Sequence, residues 1–155
     1  MTDDSREISL ADVREYACRY LANREHSRKE LRDKLARKGL PQGVIAEALE
    51  SLEAEGLVSD LRFAEAFTRS RINRLNGPLK IRSELLKRGV ESNLIDQALD
   101  THQEAWSDAA RSWVLKRFRG ELDRKEKARL YRGGTSRGFT HEQMFRAFDD
   151  IQSED

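Results

Sequence analysis

Residues 27–39 read SRKELRDKLARKG, and this stretch decides the fold because the chain repeats its pattern twice more. Residues 77–89 read GPLKIRSELLKRG, and residues 126–138 read EKARLYRGGTSRG. Each copy is a basic segment that ends on a glycine, and an acidic segment with apolar residues at helical spacing follows it. An internal repeat of about fifty residues is typical of an array of small units.

The register of the apolar positions supports the repeat. Aligning Gly39 with Gly89 superposes Leu31 on Ile81, Leu35 on Leu85, Ile45 on Ile95, Ala48 on Ala98 and Leu49 on Leu99. Aligning Gly39 with Gly138 superposes Leu31 on Leu130, Ile45 on Met144, Ala48 on Ala147 and Leu49 on Phe148. We expect these positions, together with Leu86, Trp113 and Phe145, to form the cores. Aromatic residues at such spacing indicate a core rather than a platform for stacking bases.

Short motifs predict three helices in each unit. Ser27 stands three residues before Glu30 in a capping-box pattern, and Gly39 suits the left-handed residue that ends a helix. Ser9 or Asp12 can cap the first helix. Only two prolines occur, β-branched residues are few, and no alternating stretch predicts a strand.

The predicted fold is therefore all-α, with three tandem three-helix repeats forming an elongated, curved array. The predicted segments are a disordered N-terminus at 1–8 and repeats at 9–58, 59–105 and 106–152.

The third repeat departs from the pattern because Gly134, preceded by Gly133, stands where Leu35 and Leu85 predict a large apolar side chain. A glycine inside a helix costs about 1 kcal/mol relative to alanine. We expect this helix to be short, kinked or frayed near its end. The glycines are then either a defect that Gly134→Leu would repair or a working hinge. A phosphate-binding loop fits less well, since the P-loop spacing and a preceding strand are missing.

Charge is sorted into blocks that follow the repeat, although the net charge is only +1. The basic blocks carry +4, +6 and +7 at residues 23–40, 61–90 and 109–139. The acidic blocks carry −5, −5 and −4 at residues 41–60, 91–108 and 140–155. We interpret this sorting as a basic side and an acidic side; solvated helix faces are the alternative.

The sequence has no recognisable catalytic or metal-binding pattern. The histidines, His26, His102 and His141, lie one per repeat without a second ligand at helical spacing. Cys18 is expected to be a small buried side chain of the first helix. We therefore expect a binding protein and not an enzyme, with no cofactor and no metal. A lone cysteine, no leader-like segment and no apolar run of about 20 residues predict a soluble, cytoplasmic protein without membrane contact. We also expect a monomer, although no pattern in the sequence fixes the oligomeric state.

The basic helices carry the candidate contacts to a partner or to DNA. Lys80 and Lys87 are seven residues apart, so they share one side of a helix, away from Ile81 and Leu85. Such a surface suits phosphates or an acidic protein groove. The candidate set is Arg28, Lys29, Arg32, Lys38, Arg69, Arg71, Arg74, Lys80, Arg82, Lys87, Arg88, Arg117, Lys125, Lys127, Arg129, Arg132 and Arg137.

A series of motifs, in this order and spacing, carries a resemblance to a known family. They are Tyr20-Leu21, Ser27-Arg28-Lys29-Glu30-Leu31, Lys34-Leu35, Lys38-Gly39, Gly56-Leu57-Val58-Ser59-Asp60, Arg62-Phe63-Ala64, Asn76-Gly77-Pro78, Glu84-Leu85, Lys87-Arg88-Gly89-Val90 and Arg137-Gly138-Phe139. By these motifs the chain resembles RecX, the family of bacterial regulators of the RecA recombinase. The stretch Gly133-Gly134-Thr135 departs from the family pattern, which favours apolar helix formers there.

The resemblance implies a helical array that binds in the groove of the RecA filament on DNA and restrains recombinase activity, in DNA repair and the SOS response. The RecA filament is then the expected partner, with single- or double-stranded DNA as a further partner of the basic face. The alternative is a small nucleic-acid-binding protein that grips DNA phosphates directly. A transcription regulator fits less well, since no helix shows a clear base-reading face.

Overall fold

The computed structural model of the chain describes residues 7–154, and these residues form nine α-helices and no strand. The prediction of an all-α fold is confirmed, and the helices follow one another as three sets of three. They are α1 (Leu10–Asn23), α2 (Arg28–Arg37), α3 (Gln42–Ala54), α4 (Asp60–Asn73), α5 (Pro78–Lys87), α6 (Ser92–Asp100), α7 (Gln103–Arg117), α8 (Arg124–Ser136) and α9 (His141–Ser153). The predicted disordered segment at 1–8 lies mainly outside the described residues.

The described chain divides into two compact units. The first contains the residues up to Phe63 together with Arg88–Val90, and the second contains Ala64–Lys87 and the residues from Glu91 onward. The repeat boundaries at 58/59 and 105/106 stay a prediction.

The helix ends follow the motifs of the sequence. Reciprocal capping boxes join Ser9 with Asp12, Ser27 with Glu30, and Thr140 with Gln143. Pro78 is the first residue of α5, where its missing N–H costs no hydrogen bond. Gly39, Gly89 and Gly138 have φ values of 84°, 82° and 96°, so each adopts the left-handed conformation predicted for the residue after a helix.

Each unit has its own apolar core. In the first unit, α1 and α2 pack on α3 around Val13, Ala17, Leu31, Leu35, Ile45, Ala48, Leu49, Leu52 and Val58. In the second unit, α7, α8 and α9 pack around Ala109, Ala110, Trp113, Val114, Leu122, Leu130, Phe139, Met144, Ala147, Phe148 and Ile151. Ile72 of α4 packs against this second cluster, and α5 packs on α6. The repeat positions read from the sequence are thus the buried ones.

Two turns of the second unit are joined backbone to backbone. The N–H of Gly77 donates to the carbonyl of Arg137 at 2.7 Å, and the N–H of Leu79 donates to the carbonyl of Gly138 at 3.0 Å. A β-carbon on Gly77 would lie 2.3 Å from the carbonyl carbon of Gly138, which is closer than any side chain can approach. We call this contact the Gly77–Gly138 joint.

The first unit contains a contact of the same design. The hydroxyl of Ser27, at the start of α2, donates to the carbonyl of Arg88 at 2.7 Å. A β-carbon on Gly89 would lie 2.8 Å from the β-carbon of Lys29. The turn after α8 thus packs against the start of α5, and the turn after α5 packs against the start of α2. In both cases the turn after one basic helix meets the start of the basic helix of the preceding repeat.

The prediction of a short, kinked or frayed α8 is wrong. This helix has 13 residues, against 10 in α2 and 10 in α5, and Gly134 is helical and buried within it. A β-carbon on Gly134 would lie 2.3 Å from the sulfur of Met144, whose side chain is fully buried. Met144 therefore fills the space in which leucine was expected, and no phosphate-binding loop exists here.

Three single-residue predictions are also wrong. Leu86 and Phe145 were expected in the core, but 49% and 43% of their surfaces are exposed, and Cys18 is exposed as well. Each directly follows a fully buried residue on its helix. Successive helical residues point about 100° apart, and each of these three lies beyond the buried stripe to which its neighbour belongs.

We predict that Gly134→Leu lowers stability, contrary to the repeat pattern, because the leucine overlaps the buried end of Met144. Overpacking of this kind costs about 1–3 kcal/mol. Thermal denaturation of Gly134→Leu and of Gly134→Leu/Met144→Ile measures the effect, and the double variant should recover part of the loss. A melting temperature of Gly134→Leu above that of the parent would contradict the packing described.

A second prediction compares two glycines. Gly77→Ala should destabilise the protein by about 1–3 kcal/mol, because its β-carbon meets backbone that has no other position to take. Gly43→Ala, in α3, should stabilise it by about 0.5–1 kcal/mol, because a β-carbon there meets nothing within 4 Å. Chemical denaturation of both variants tests the joint, and equal effects of the two substitutions would count against it.

Candidate partner interface

The candidate basic residues divide by what their side chains contact. Six are held by carboxylates or by backbone carbonyls, namely Arg28, Arg71, Arg82, Arg88, Arg129 and Arg137. Lys38 lies over Tyr16 and Tyr20, and Arg117 lies over Trp113. Lys29 and Lys87 make further contacts. Within residues 7–154 no ion pair or side-chain hydrogen bond is made by Arg32, Arg69, Arg74, Lys80, Lys125, Lys127 and Arg132.

Two of the held arginines belong to the turn contacts of the fold. The guanidinium of Arg137 donates to the carbonyl oxygens of Arg74 and Leu75, and that of Arg88 lies 3.5 Å from the carboxylate of Glu30. Arg137 therefore stabilises the Gly77–Gly138 joint, and Arg88 stabilises the corresponding turn contact of the first unit. The ion pairs of Arg28, Arg71 and Arg82 are partly exposed, and such pairs contribute only about 0–1 kcal/mol to stability. An anionic group of a partner can therefore take the place of the carboxylate in each pair.

Arg129 is held on the surface of α8. Its guanidinium donates to the carboxylate of Glu126 at 2.6 Å, and the backbone N–H of Arg119 donates to the same carboxylate at 2.8 Å. These hydrogen bonds lower the pKa of Glu126 to about 2. Arg129 is thus partly neutralised as a candidate contact.

Three candidate arginines meet in one cleft of the second unit. Arg74 after α4, Arg117 at the end of α7 and Arg137 after α8 line a space of about 260 Å³, together with Lys116. No carboxylate among residues 7–154 lines this cleft. We call it the basic cleft. Its excess of hydrogen-bond donors and positive charge suits a phosphate group.

The outer side of α5 combines apolar and basic side chains. Leu79 and Leu86 are 54% and 49% exposed, and helical spacing places them on one side of the helix. Lys80 and Lys87 flank them, as the sequence predicted for the side away from Ile81. We call this surface, Leu79, Lys80, Leu86 and Lys87, the α5 face. Exposed apolar groups rimmed by charge are typical of protein contact sites.

A second opening, besides the basic cleft, lies between α8 and α9 and has a volume of about 650 Å³. Lys127 and Arg132 of the candidate set line it, together with the exposed ring of Phe145. The sequence placed Phe145 and Leu86 among the predicted core residues, and no pattern in it singled out Leu79. The available signal was the repeat register: Leu86 falls on Ala36 and Phe145 falls on Ala46, outside the positions at which the repeats share large apolar residues.

His26 lies in a buried cluster of the first unit. Its Nδ1 donates to the carbonyl of Arg24 at 3.0 Å, which leaves Nε2 to accept from the ammonium of Lys34 at 2.7 Å. Burial lowers the pKa of His26, and the nearby charges of Arg24 and Lys34 lower it further. Burial also lowers the pKa of Lys34, whose ammonium lies over the ring of Tyr20. The cluster packs α2 on α1 and has no geometry for metal binding.

Neither a metal site nor a membrane span is visible in the described part of the chain. No three His, Cys, Asp or Glu residues among residues 7–154 stand close enough together to hold a metal ion. None of the described helices has the length and apolarity needed to cross a membrane.

Comparison with known proteins gives consistent matches over most of the chain. The family model for the first three-helix domain of RecX matches residues 14–52, and the model for the second matches residues 59–99. The regulatory protein RecX of Halorhodospira halophila is 43% identical over 134 residues, which cover 85% of this chain and 83% of that protein. That of Chromohalobacter salexigens is 43% identical and covers 86% and 89%.

Solved structures agree with this fold. A crystal structure of a regulatory protein RecX superposes with a TM-score of 0.80 at 26% identity, covering 90% of this chain and 73% of that one. The crystal structure of RecX from Lactobacillus salivarius superposes with a TM-score of 0.82 over 92% of this chain and 96% of that one; at 22% identity this likeness concerns the fold alone.

We predict that acid destabilises the protein through His26. Its folded-state pKa is lower than the unfolded value of 6.5, so the unfolded chain binds the proton more readily and stability falls as the pH falls below 6.5. Lys34→Met removes a facing charge and should reduce the fall in melting temperature between pH 7.5 and pH 5.5. Arg32→Met, on the same helix, is the control and should leave the fall unchanged. The same fall in all three proteins would show that the Lys34 charge does not act on His26.

Proposed function

The chain belongs to the RecX family, and on that premise we propose that it is a non-enzymatic, cytoplasmic regulator of the RecA recombinase. It binds in the groove of the RecA filament on DNA and restrains recombination and ATP hydrolysis in DNA repair and the SOS response. The observation that carries this proposal is the α5 face, because its chemistry suits a protein surface better than it suits DNA alone.

The leucines of the α5 face argue for a protein partner. Leu79 and Leu86 expose about half of their surfaces, although burying a leucine side chain yields about 1.5–3 kcal/mol. A phosphate backbone offers no apolar surface to cover them, whereas a protein groove does. Lys80 and Lys87 beside them would then pair with acidic groups at the rim of the same groove, where charges guide association.

The charge blocks support a partner that carries charges of both signs. The basic side chains would meet phosphates or acidic side chains, and the acidic helices α3, α6 and α9 would meet basic ones. A protein filament on DNA presents both kinds of charge. Repulsion between like charges would then help to fix the orientation of the regulator.

Direct binding to DNA is the second candidate function, and the basic cleft favours it. Arg74, Lys116, Arg117 and Arg137 bring four cations to one small space without a carboxylate. Such a cleft binds a phosphate in a salt-dependent manner, whether or not RecA is present. The two functions therefore differ in one measurable respect, which is the affinity for bare DNA relative to that for a preformed RecA filament.

We predict that Leu79→Ser/Leu86→Ser weakens binding to a preformed RecA filament on single-stranded DNA by about tenfold or more, because two apolar contacts are lost. Binding to the same DNA without RecA should not change. The double variant should also relieve restraint of RecA ATP hydrolysis, measured with and without the regulator. Lys80→Glu/Lys87→Glu should weaken filament binding too, and should reduce the log–log salt slope by about 0.7 for each phosphate contact to the single strand that is lost.

Leu115→Ser is the matched control, since Leu115 of α7 is 44% exposed, is followed by a lysine and lies outside the α5 face. It should bind the filament like the parent. Filament affinity of Leu79→Ser/Leu86→Ser equal to that of the parent would place the protein contact elsewhere. Equal affinity of the parent for bare DNA and for the filament would instead favour direct DNA binding.

A further inference from the structure

The opening between α8 and α9 has an aromatic wall. The rings of His141 and Phe145 lie with centroids 4.5 Å apart at an interplanar angle of 33°, and Tyr131 meets His141 edge-on at 5.7 Å. Beneath them, the fully buried ring of Phe148 contacts Phe145 edge-on at 5.7 Å. The wall is therefore held by the core while 43% of Phe145 faces outward.

The rim of the same opening is purely cationic. Arg124, Lys127 and Arg132 line it, and none of the carboxylates in the described part of the chain does. Helical spacing places these three on the side of α8 that also carries Tyr131. None of the three cations is in an ion pair with a described residue, although Arg129 on the same helix is paired with Glu126. The charge of the rim is thus available to an anionic ligand.

The ligand that fits this combination is flat, apolar on its faces and negatively charged beside them. An unpaired nucleotide has a base whose π face stacks on aromatic rings, and the phosphates of its backbone reach cations at the edge. A volume of about 650 Å³ lies within the range of compact ligand pockets. An acidic helical peptide would need a longer groove with successive apolar pockets. Bases within a duplex are stacked on one another and cannot enter.

We propose that the opening between α8 and α9 is a binding site for an unpaired base of single-stranded DNA, with Tyr131, His141 and Phe145 as the stacking surface and Arg124, Lys127 and Arg132 as phosphate contacts. The site is separate from the α5 face and does not depend on RecA. It belongs to the helix pair on which the chain departs from its own repeat at Gly134.

The test uses the isolated full chain and a fluorescein-labelled oligo(dT) of about twelve nucleotides. Phe145→Leu keeps an apolar side chain but removes the ring, and should weaken binding roughly five- to 150-fold. Phe145→Trp should retain binding. An oligonucleotide with 5-iodo-deoxyuridine should form a photo-crosslink to Tyr131, His141 or Phe145, identified by mass spectrometry. Thermal melting verifies that both variants are folded.

Charge variants test the rim separately. Lys127→Gln and Arg132→Gln should each reduce the salt slope for oligo(dT) by about 0.7. Arg146→Gln, an exposed arginine of α9 that does not line the opening, is the control and should leave the slope unchanged.

Four results would overturn the site. The first is equal binding of oligo(dT) by Phe145→Leu and the parent. The second is that Phe145→Leu weakens binding of a blunt duplex of the same length as much as it weakens binding of oligo(dT), since the bases of a duplex are not available for stacking. The third is a crosslink to residues other than Tyr131, His141 and Phe145. The fourth is binding of a Glu- and Phe-rich peptide without binding of oligo(dT). Because RecA is absent from every assay, these outcomes leave the proposed function untouched.

Discussion

The contact between the turn at Gly77 and the turn at Gly138 is the constraint on which the second unit depends. Two backbone hydrogen bonds join them at a separation that admits no β-carbon. The contact fixes the start of α5 against the α8–α9 turn, where the β-carbon of Lys80 lies beside Gly138. It also aligns Arg137 with the carbonyls that end α4. Both the α5 face and the basic cleft therefore take their positions from a contact that involves no apolar side chain.

The sequence predicted the helices well because their causes are local. Capping boxes, left-handed glycines and the apolar register act within a few residues, and the structure contains each of them where it was expected. The wrong prediction for α8 arose from side-chain packing between helices, which the repeat pattern does not describe. Gly134 was judged by helix propensity, but the deciding quantity was the volume filled by Met144 from another helix. Propensity and periodicity carry no information on which neighbour occupies a gap.

The candidate site was predicted as a set of charges, and the structure gives those charges different environments. Arg88 and Arg137 contact turns of the fold, while Arg74 and Arg117 share a cleft without carboxylates. This separation depends on which turns meet, and therefore on contacts that are distant in sequence. The exposed side chains of Leu86 and Phe145 were closer to being predictable, because both lie outside the register of apolar positions that the repeats share.

The close contacts at Gly77 and at Gly134 differ in how they can change during evolution. At Gly134 the obstacle is the side chain of Met144, so a substitution at one position can be accommodated by a substitution at the other, and related chains can drift between such pairs. At Gly77 the obstacle is the backbone of Gly138, and these backbone atoms stay in place whichever amino acid occupies position 138. No compensating replacement exists for that contact. Divergent relatives that keep this joint must therefore keep the glycine, while the α8–α9 core beside it remains free to vary in its residues.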